Sequence, residues 1–250
     1  MSKDQMHFDY SALNIRHDLP EAYREAWLKI ASPGNWWKGE DRVAIAAEVR
    51  AARDCSLCAE RKSALSPFSV KGQHQATTNL PEVAIDAVHR IVTDVSRLTK
   101  TWLEDCGEQG LSKEQYIELL GIVVAVISID AFHRALGIDD EKLPEPIAGE
   151  PSYYLPTSIV EGDAWVPVIP ASAAKGTESD LYGGQKQTGN VLSAMSLVPD
   201  SVRLLTTLAS VQYLQATDVI NPSMNGGRKI SRAQMELLAG RISSLSSCFY

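Results

Sequence analysis

The stretch from residue 112 to residue 137 constrains this chain more than any other. It opens on SKEQ, a capping box: the Ser112 hydroxyl can take the amide of Gln115 while the Gln115 side chain reaches back. It closes at Gly137, a residue suited to the left-handed position just past a helix end. Between them, residues 119–127 are apolar around the whole circumference of a helix. The pattern predicts a helix buried on all sides, either centrally or in an oligomer interface. The apolar run itself is too short to span a membrane.

Helical periodicity governs most of the remaining chain. Residues 20–31 place Ala22, Tyr23, Ala26, Trp27 and Ile30 on one face. Residues 40–65 read as helix with an interruption near two cysteines. Pro81 reads as the first position of a helix running to Cys106, before Gly107. Helix resumes over 191–215 with a restart at Pro199, and a second capping box, SRAQ, opens a last helix from Ser231 to Tyr250. No strand pattern competes, so the predicted fold is all-α. Residues 139–189 (PEP, GEP, LPT, IPAS, YGG) read as a long irregular connection. A connection of that length covers a site, clasps a neighbour or is disordered.

Composition narrows the function classes. At 44% hydrophobic and 22% charged, the chain has an ordinary globular make-up. A net charge of −7 with no dense basic cluster argues against nucleic acid as a partner. The first twenty residues lack the apolar stretch of a signal peptide. Four cysteines in 250 residues do not form a secreted disulfide framework. The expectation is a cytoplasmic protein with no membrane partner.

In that setting the segment RDCSLCAERK stands out, with Cys55 and Cys58 three apart. A structural zinc needs four ligands, and no second Cys-x-x-Cys exists; His74, His89 and His133 form no closely spaced histidine pair. No metal and no cofactor is therefore expected. An inert reading treats both cysteines as small buried residues, but Arg53, Asp54, Glu60, Arg61 and Lys62 make the surroundings charged. A redox reading has Asp54 as N-cap and both sulfurs in a first helical turn, where the helix dipole favours thiolate. If the helix runs through unbroken, Glu48, Cys55 and Lys62 share one stripe, seven residues apart. Lys62 would then lower a thiol pKa and Glu48 could shuttle a proton. On the residues alone, the inert and redox readings both stand.

An apolar helix, the Cys-x-x-Cys, a loop, a long helix and a second long helix follow in order, with the segments RLTKTW, EQGLSKEQYIELLG and IDAFHRALGI. Over residues 41–138 this resembles the carboxymuconolactone decarboxylase-like superfamily, in particular its alkylhydroperoxidase D-like branch. The resemblance implies that Cys58 attacks a hydroperoxide and becomes a sulfenic acid, and that Cys55 condenses with it to a disulfide. It also implies a histidine four residues past the second cysteine and a glutamate twelve before the first. Those positions hold Lys62 and Val43. The proton relay must then come from Glu48, Lys62, His89 or His133.

The C-terminal MELLAGRISSLSSCFY resembles the helix leading into the same motif, with Glu236 twelve residues before Cys248. The expected organisation is an alkylhydroperoxidase D-like domain over 1–138, the irregular connection over 139–189, and the front half of a second, truncated copy over 190–250. The implied activity is a thiol-dependent peroxidase taking a hydroperoxide and an unidentified dithiol reductant, in a homo-oligomer. Two alternatives stand beside it. One is a catalytically degenerate helical scaffold or ligand binder. The other is decarboxylation of a small lactone acid, which does not need the cysteine pair.

Overall fold

A computed structural model describes residues 7–162, 164–185, 187–246 and 248. In chain order its helices are α1 (Asp18–Ala31), α2 (Gly39–Ala51), α3 (Ser56–Ser63), α4 (Glu82–Asp94), α5 (Lys100–Glu108), α6 (Lys113–Leu136), α7 (Asn190–Ala194), α8 (Pro199–Gln212), α9 (Ala216–Val219) and α10 (Arg232–Leu245). Among the described residues there is no strand, only an isolated antiparallel bridge between Val160 and Val168. The fold is all-α.

Helix α6 is the axis. Ser112 Oγ accepts the Gln115 amide at 3.1 Å and Gln115 Oε1 accepts the Ser112 amide at 3.0 Å. Gly137 closes the helix at φ 69°. By length and composition α6 could cross a membrane. Here α2, α4 and α8 pack around it, and α1 lies against α2 and α8. Its apolar circumference is thus covered from three sides within one chain, and it gives no independent argument for association. Two buried acids fix its rotation: Glu118 pairs with Arg42 of α2, and Asp130 pairs with Arg50 of the same helix. Paired in this way, carboxylates can sit in a core that would otherwise exclude them.

Two predicted helical segments are subdivided, the first at the interruption expected near the cysteines. Residues 40–65 form α2, a 3₁₀ turn over Ala52–Asp54, and α3, with the break at Cys55, whose backbone is extended. Cys55 therefore caps α3, a role the sequence assigned to Asp54. The predicted helix over 81–106 divides at 95–99 into α4 and α5. Pro81 is the N-cap of α4 rather than its first residue, and Thr99 restarts the chain by accepting the Trp102 amide at 3.2 Å. Near the C-terminus α10 ends at Leu245, and residues 247, 249 and 250 of the predicted last helix lie outside the described residues.

Among the described residues of 139–189 the regular structure is limited to short 3₁₀ turns and the Val160–Val168 bridge. Yet Val166, Ile169, Leu181 and Tyr182 are buried in the same cluster as Phe8 and Ile122. The α8 residues Val202, Leu204 and Leu208 belong to it as well. One core therefore spans the divisions expected at 138 and 190.

Candidate active site

Four segments converge on the cysteine pair. Helix α2 carries Glu48, the start of α3 carries Cys55 and Cys58, the loop over 65–81 carries His74, and α4 carries Asp86 and His89. The 3₁₀ turn after α2 reorients the chain so that Cys55 becomes the N-cap of α3 and Cys58 the third helical residue. Both sulfurs then lie at the positive end of a helix, among amides without intrahelical acceptors.

The loop is fastened to this end. Gln75 Oε1 accepts the Ser56 amide at 2.9 Å, and Glu48 Oε1 accepts the Thr77 amide at 2.8 Å. These bonds hold His74 over the sulfurs, its Nδ1 3.6 Å from both Cys55 Sγ and Cys58 Sγ. From the other side His89 Nδ1 approaches Cys58 Sγ at 3.2 Å. Each imidazole is held at its far nitrogen by a carboxylate. His89 Nε2 donates to Glu48 Oε2 at 3.0 Å, and His74 Nε2 donates to Asp86 Oδ1 at 2.9 Å. Asp86 is itself held by Arg61 at 2.6 Å and Arg90 at 2.8 Å.

Burial works against charge on Cys58, but hydrogen bonds from His74 and His89 and the charge of His89 outweigh it, bringing the thiol down to about 6. Cys55 is also lowered: burial opposes it, and the Gln75 and Cys58 amides with His74 favour the thiolate. His74 is raised to about 10, because Asp86 and the two sulfurs overcome its burial. His89 is raised against burial by Cys58 and Glu48. Glu48 is lowered despite burial, chiefly by the His89 hydrogen bond. Cys106 provides the contrast: burial, with Asp86 adding to it, pushes its thiol up to about 11.

The sulfurs are covered, Cys55 being 2% and Cys58 3% exposed. A cleft of about 770 Å³ opens beside them, with His74, Arg61 and Asp86 on its wall together with Phe68, Leu80 and Trp102. Cys55 and Cys58 do not line it, whereas Cys106 does.

No protein-family model, curated protein or solved structure matches this chain.

Of the residues singled out from sequence, Cys55, Cys58, Glu48 and His89 meet at one point. Four others do not join them. Lys62 is exposed, and among the described residues no hydrogen bond or ion pair links its side chain to a sulfur. The turn before Cys55 breaks the stripe that would have aligned it. His133 lies near the far end of α6, between Tyr10 Oη at 2.6 Å and the Asp139 carbonyl at 2.7 Å, where it clamps the N-terminal segment. Glu236 pairs with Arg232 on the surface of α10, and Cys248 is exposed. His74 and Asp86 were not among the predicted site residues. His74 comes from a loop with no periodic signal, whereas the spacing of Asp86 and His89 places them on one face of α4.

Proposed function

We propose that this chain is a thiol-dependent, peroxidase-like oxidoreductase of alkylhydroperoxidase D-like architecture, with Cys58 as the attacking thiolate and Cys55 as the resolving thiol. The observation that carries the reading is the buried line Glu48–His89–Cys58, with contacts of 3.0 and 3.2 Å. It supplies an acid, a base and a sulfur in series. In the motif this chain resembles, glutamate and histidine flank the cysteines in sequence. Here Glu48 comes from one turn before the break and His89 from the neighbouring helix.

The Cys58 thiolate attacks one peroxide oxygen, the O–O bond breaks, and the departing alkoxide takes a proton from the imidazolium of His89. The products are a sulfenic acid on Cys58 and an alcohol. Glu48 holds the proton-bearing nitrogen of His89 throughout and stabilises its charged form. The Cys55 thiol then attacks the sulfenic sulfur; a disulfide forms and the hydroxyl leaves as water with the thiol proton. An external dithiol reduces the disulfide by exchange, returning two thiols and leaving its own disulfide. Substrate reaches the sulfurs when the loop carrying His74 and Gln75 lifts from α3.

The experiment is hydroperoxide consumption by chelator-treated protein with dithiothreitol as reductant. Cys58→Ser is expected to bring turnover to background. Cys55→Ser, treated with hydroperoxide without dithiothreitol, is expected to consume one equivalent and stop, with a sulfenic acid that a dione reagent traps. Turnover by Cys58→Ser equal to that of the unaltered chain would overturn the reading.

A further inference from the structure

The same four side chains also have the composition and spacing of a metal centre. Ligand atoms of Cys55, Cys58, His74 and His89 all lie within 4.8 Å of one another. Both imidazoles turn Nδ1 towards the sulfurs, at S···N separations of 3.6, 3.6 and 3.2 Å. A tetrahedral zinc with Zn–S of about 2.3 Å and Zn–N of about 2.0–2.1 Å requires sulfur and nitrogen ligands to stand roughly 3.5 Å apart. Three of the four sulfur–nitrogen edges of such a tetrahedron are therefore already close to the required length, and the remaining ligand pairs lie within 4.8 Å.

The surroundings support the same conclusion. A histidine that binds metal usually donates its other nitrogen to a carboxylate, which fixes the ring and its tautomer. Both histidines here do so, His89 to Glu48 and His74 to Asp86. Each acid is in turn held by further donors, Glu48 by the Thr77 amide and Asp86 by Arg61 and Arg90. A divalent cation would neutralise two thiolates in a pocket almost closed to water. Two sulfurs and two imidazoles in a tetrahedron select zinc over the hard cations. Four protein ligands would leave no open position, as in structural rather than catalytic zinc sites.

We infer that the reduced protein binds one Zn²⁺ through Cys55 and Cys58 Sγ and His74 and His89 Nδ1. Zinc and disulfide exclude each other, because a disulfide offers no thiolate. Two zinc-bound thiolates, one hydroperoxide and two protons give a disulfide, an alcohol, water and free Zn²⁺. The loop over 65–81 supplies one ligand, so the metal also fastens the cover over the sulfurs. The binding site stands on the donor geometry and does not depend on peroxidase turnover.

The test uses the full chain, reduced, stripped with a chelator and dialysed. It is titrated with Zn²⁺ against a chromophoric competitor and separately with Co²⁺. Expected are one Zn²⁺ per chain and, with Co²⁺, the visible bands of a tetrahedral ion together with thiolate charge transfer. Asp86→Asn is expected to weaken Zn²⁺ binding by about 10–100-fold. Cys55→Ser and His74→Ala should weaken it further, and hydrogen peroxide should release Zn²⁺ in step with thiol loss. Octahedral Co²⁺ bands without charge transfer, or His74→Ala binding Zn²⁺ as tightly as the unaltered chain, would overturn the inference. Should a variant fail to fold, the Co²⁺ spectrum of the unaltered chain decides alone. The peroxidase assay is run in chelator, so either proposal can fail without the other.

Discussion

His89 Nδ1 lies 3.2 Å from Cys58 Sγ, although the two residues stand 31 apart in the chain. The contact exists because the turn over Ala52–Asp54 drops α3 beside α4, with Glu48 of α2 on the far side of the imidazole. Both His89 and Glu48 are fully buried, so their charges are stabilised by one another and by Cys58 rather than by water.

The first consequence is a reactive thiol at Cys58. Its pKa is brought down to about 6, and only the thiolate is alkylated. In metal-free reduced protein, iodoacetamide labelling of Cys58 is expected to rise with pH through a midpoint near 6. A free thiol would have its midpoint near ~8.5. Cys106, pushed up to about 11, should stay unlabelled across the same range. Peptide mass spectrometry after timed labelling reads both sites.

Glu48 acts on the sulfur through His89. Glu48→Gln keeps the size and an acceptor but removes the charge that stabilises the imidazolium. The Cys58 labelling midpoint should therefore move up towards the ordinary thiol value. Glu48→Ala takes the carboxylate partner from a buried imidazolium and the acceptor from the Thr77 amide, and is expected to cost about 3–5 kcal/mol in denaturant unfolding. His89→Asn removes the proton donor and should slow hydroperoxide consumption by about 10²–10⁴-fold. Equal midpoints in Glu48→Gln and the unaltered chain would remove Glu48 from the relay.

The loop that covers the sulfurs is held in part by a single side-chain oxygen, Gln75 Oε1 on the Ser56 amide. Gln75→Ala leaves that first-turn donor of α3 without its partner. Losing a bond of this capping kind is expected to cost about 0.5–2 kcal/mol. Labelling of Cys55 should be faster in this variant at fixed pH, because the cover opens more often. Hydrogen exchange over residues 65–81 reads the same opening directly.

The sequence made α6 legible almost to the residue, because a capping box and a left-handed glycine mark its two ends. It also located the cysteine pair and supplied Glu48 and His89. It placed an interruption near the cysteines but not its form, a 3₁₀ turn over Ala52–Asp54 that makes Cys55 rather than Asp54 the N-cap of α3. That turn changes which residues face the sulfurs: it carries Lys62 away to solvent and makes room for a loop histidine. His74 carries no periodic signal, and its role depends on Gln75 and Thr77 fastening a loop rich in turn residues. Zinc looked unfavourable in sequence because its second pair of ligands comes from two separate segments. The boundaries at 138 and 190 follow a real change in composition. Packing crosses them, because the apolar residues of α8 join one core with α6 and α1.

The α6–α8 contact gives a direct test of that shared core. A Cβ on Gly121 would stand 2.8 Å from Ser201 Oγ and 3.0 Å from its Cβ. Gly121→Val therefore forces the two helices apart. Overpacking of this kind is expected to cost about 1–3 kcal/mol, with residues 199–212 losing exchange protection together with residues 113–136. Unchanged stability would mean that residues 190–250 fold as a separate unit.

The central claim is that Cys55 and Cys58 form one redox couple. Counting thiols in metal-free reduced protein before and after a stoichiometric addition of hydroperoxide tests it most directly. The account predicts the loss of two thiols per chain and a single peptide cross-link joining Cys55 to Cys58, reversed by dithiothreitol. An unchanged thiol count, or oxidation of Cys58 with Cys55 still free, would contradict it.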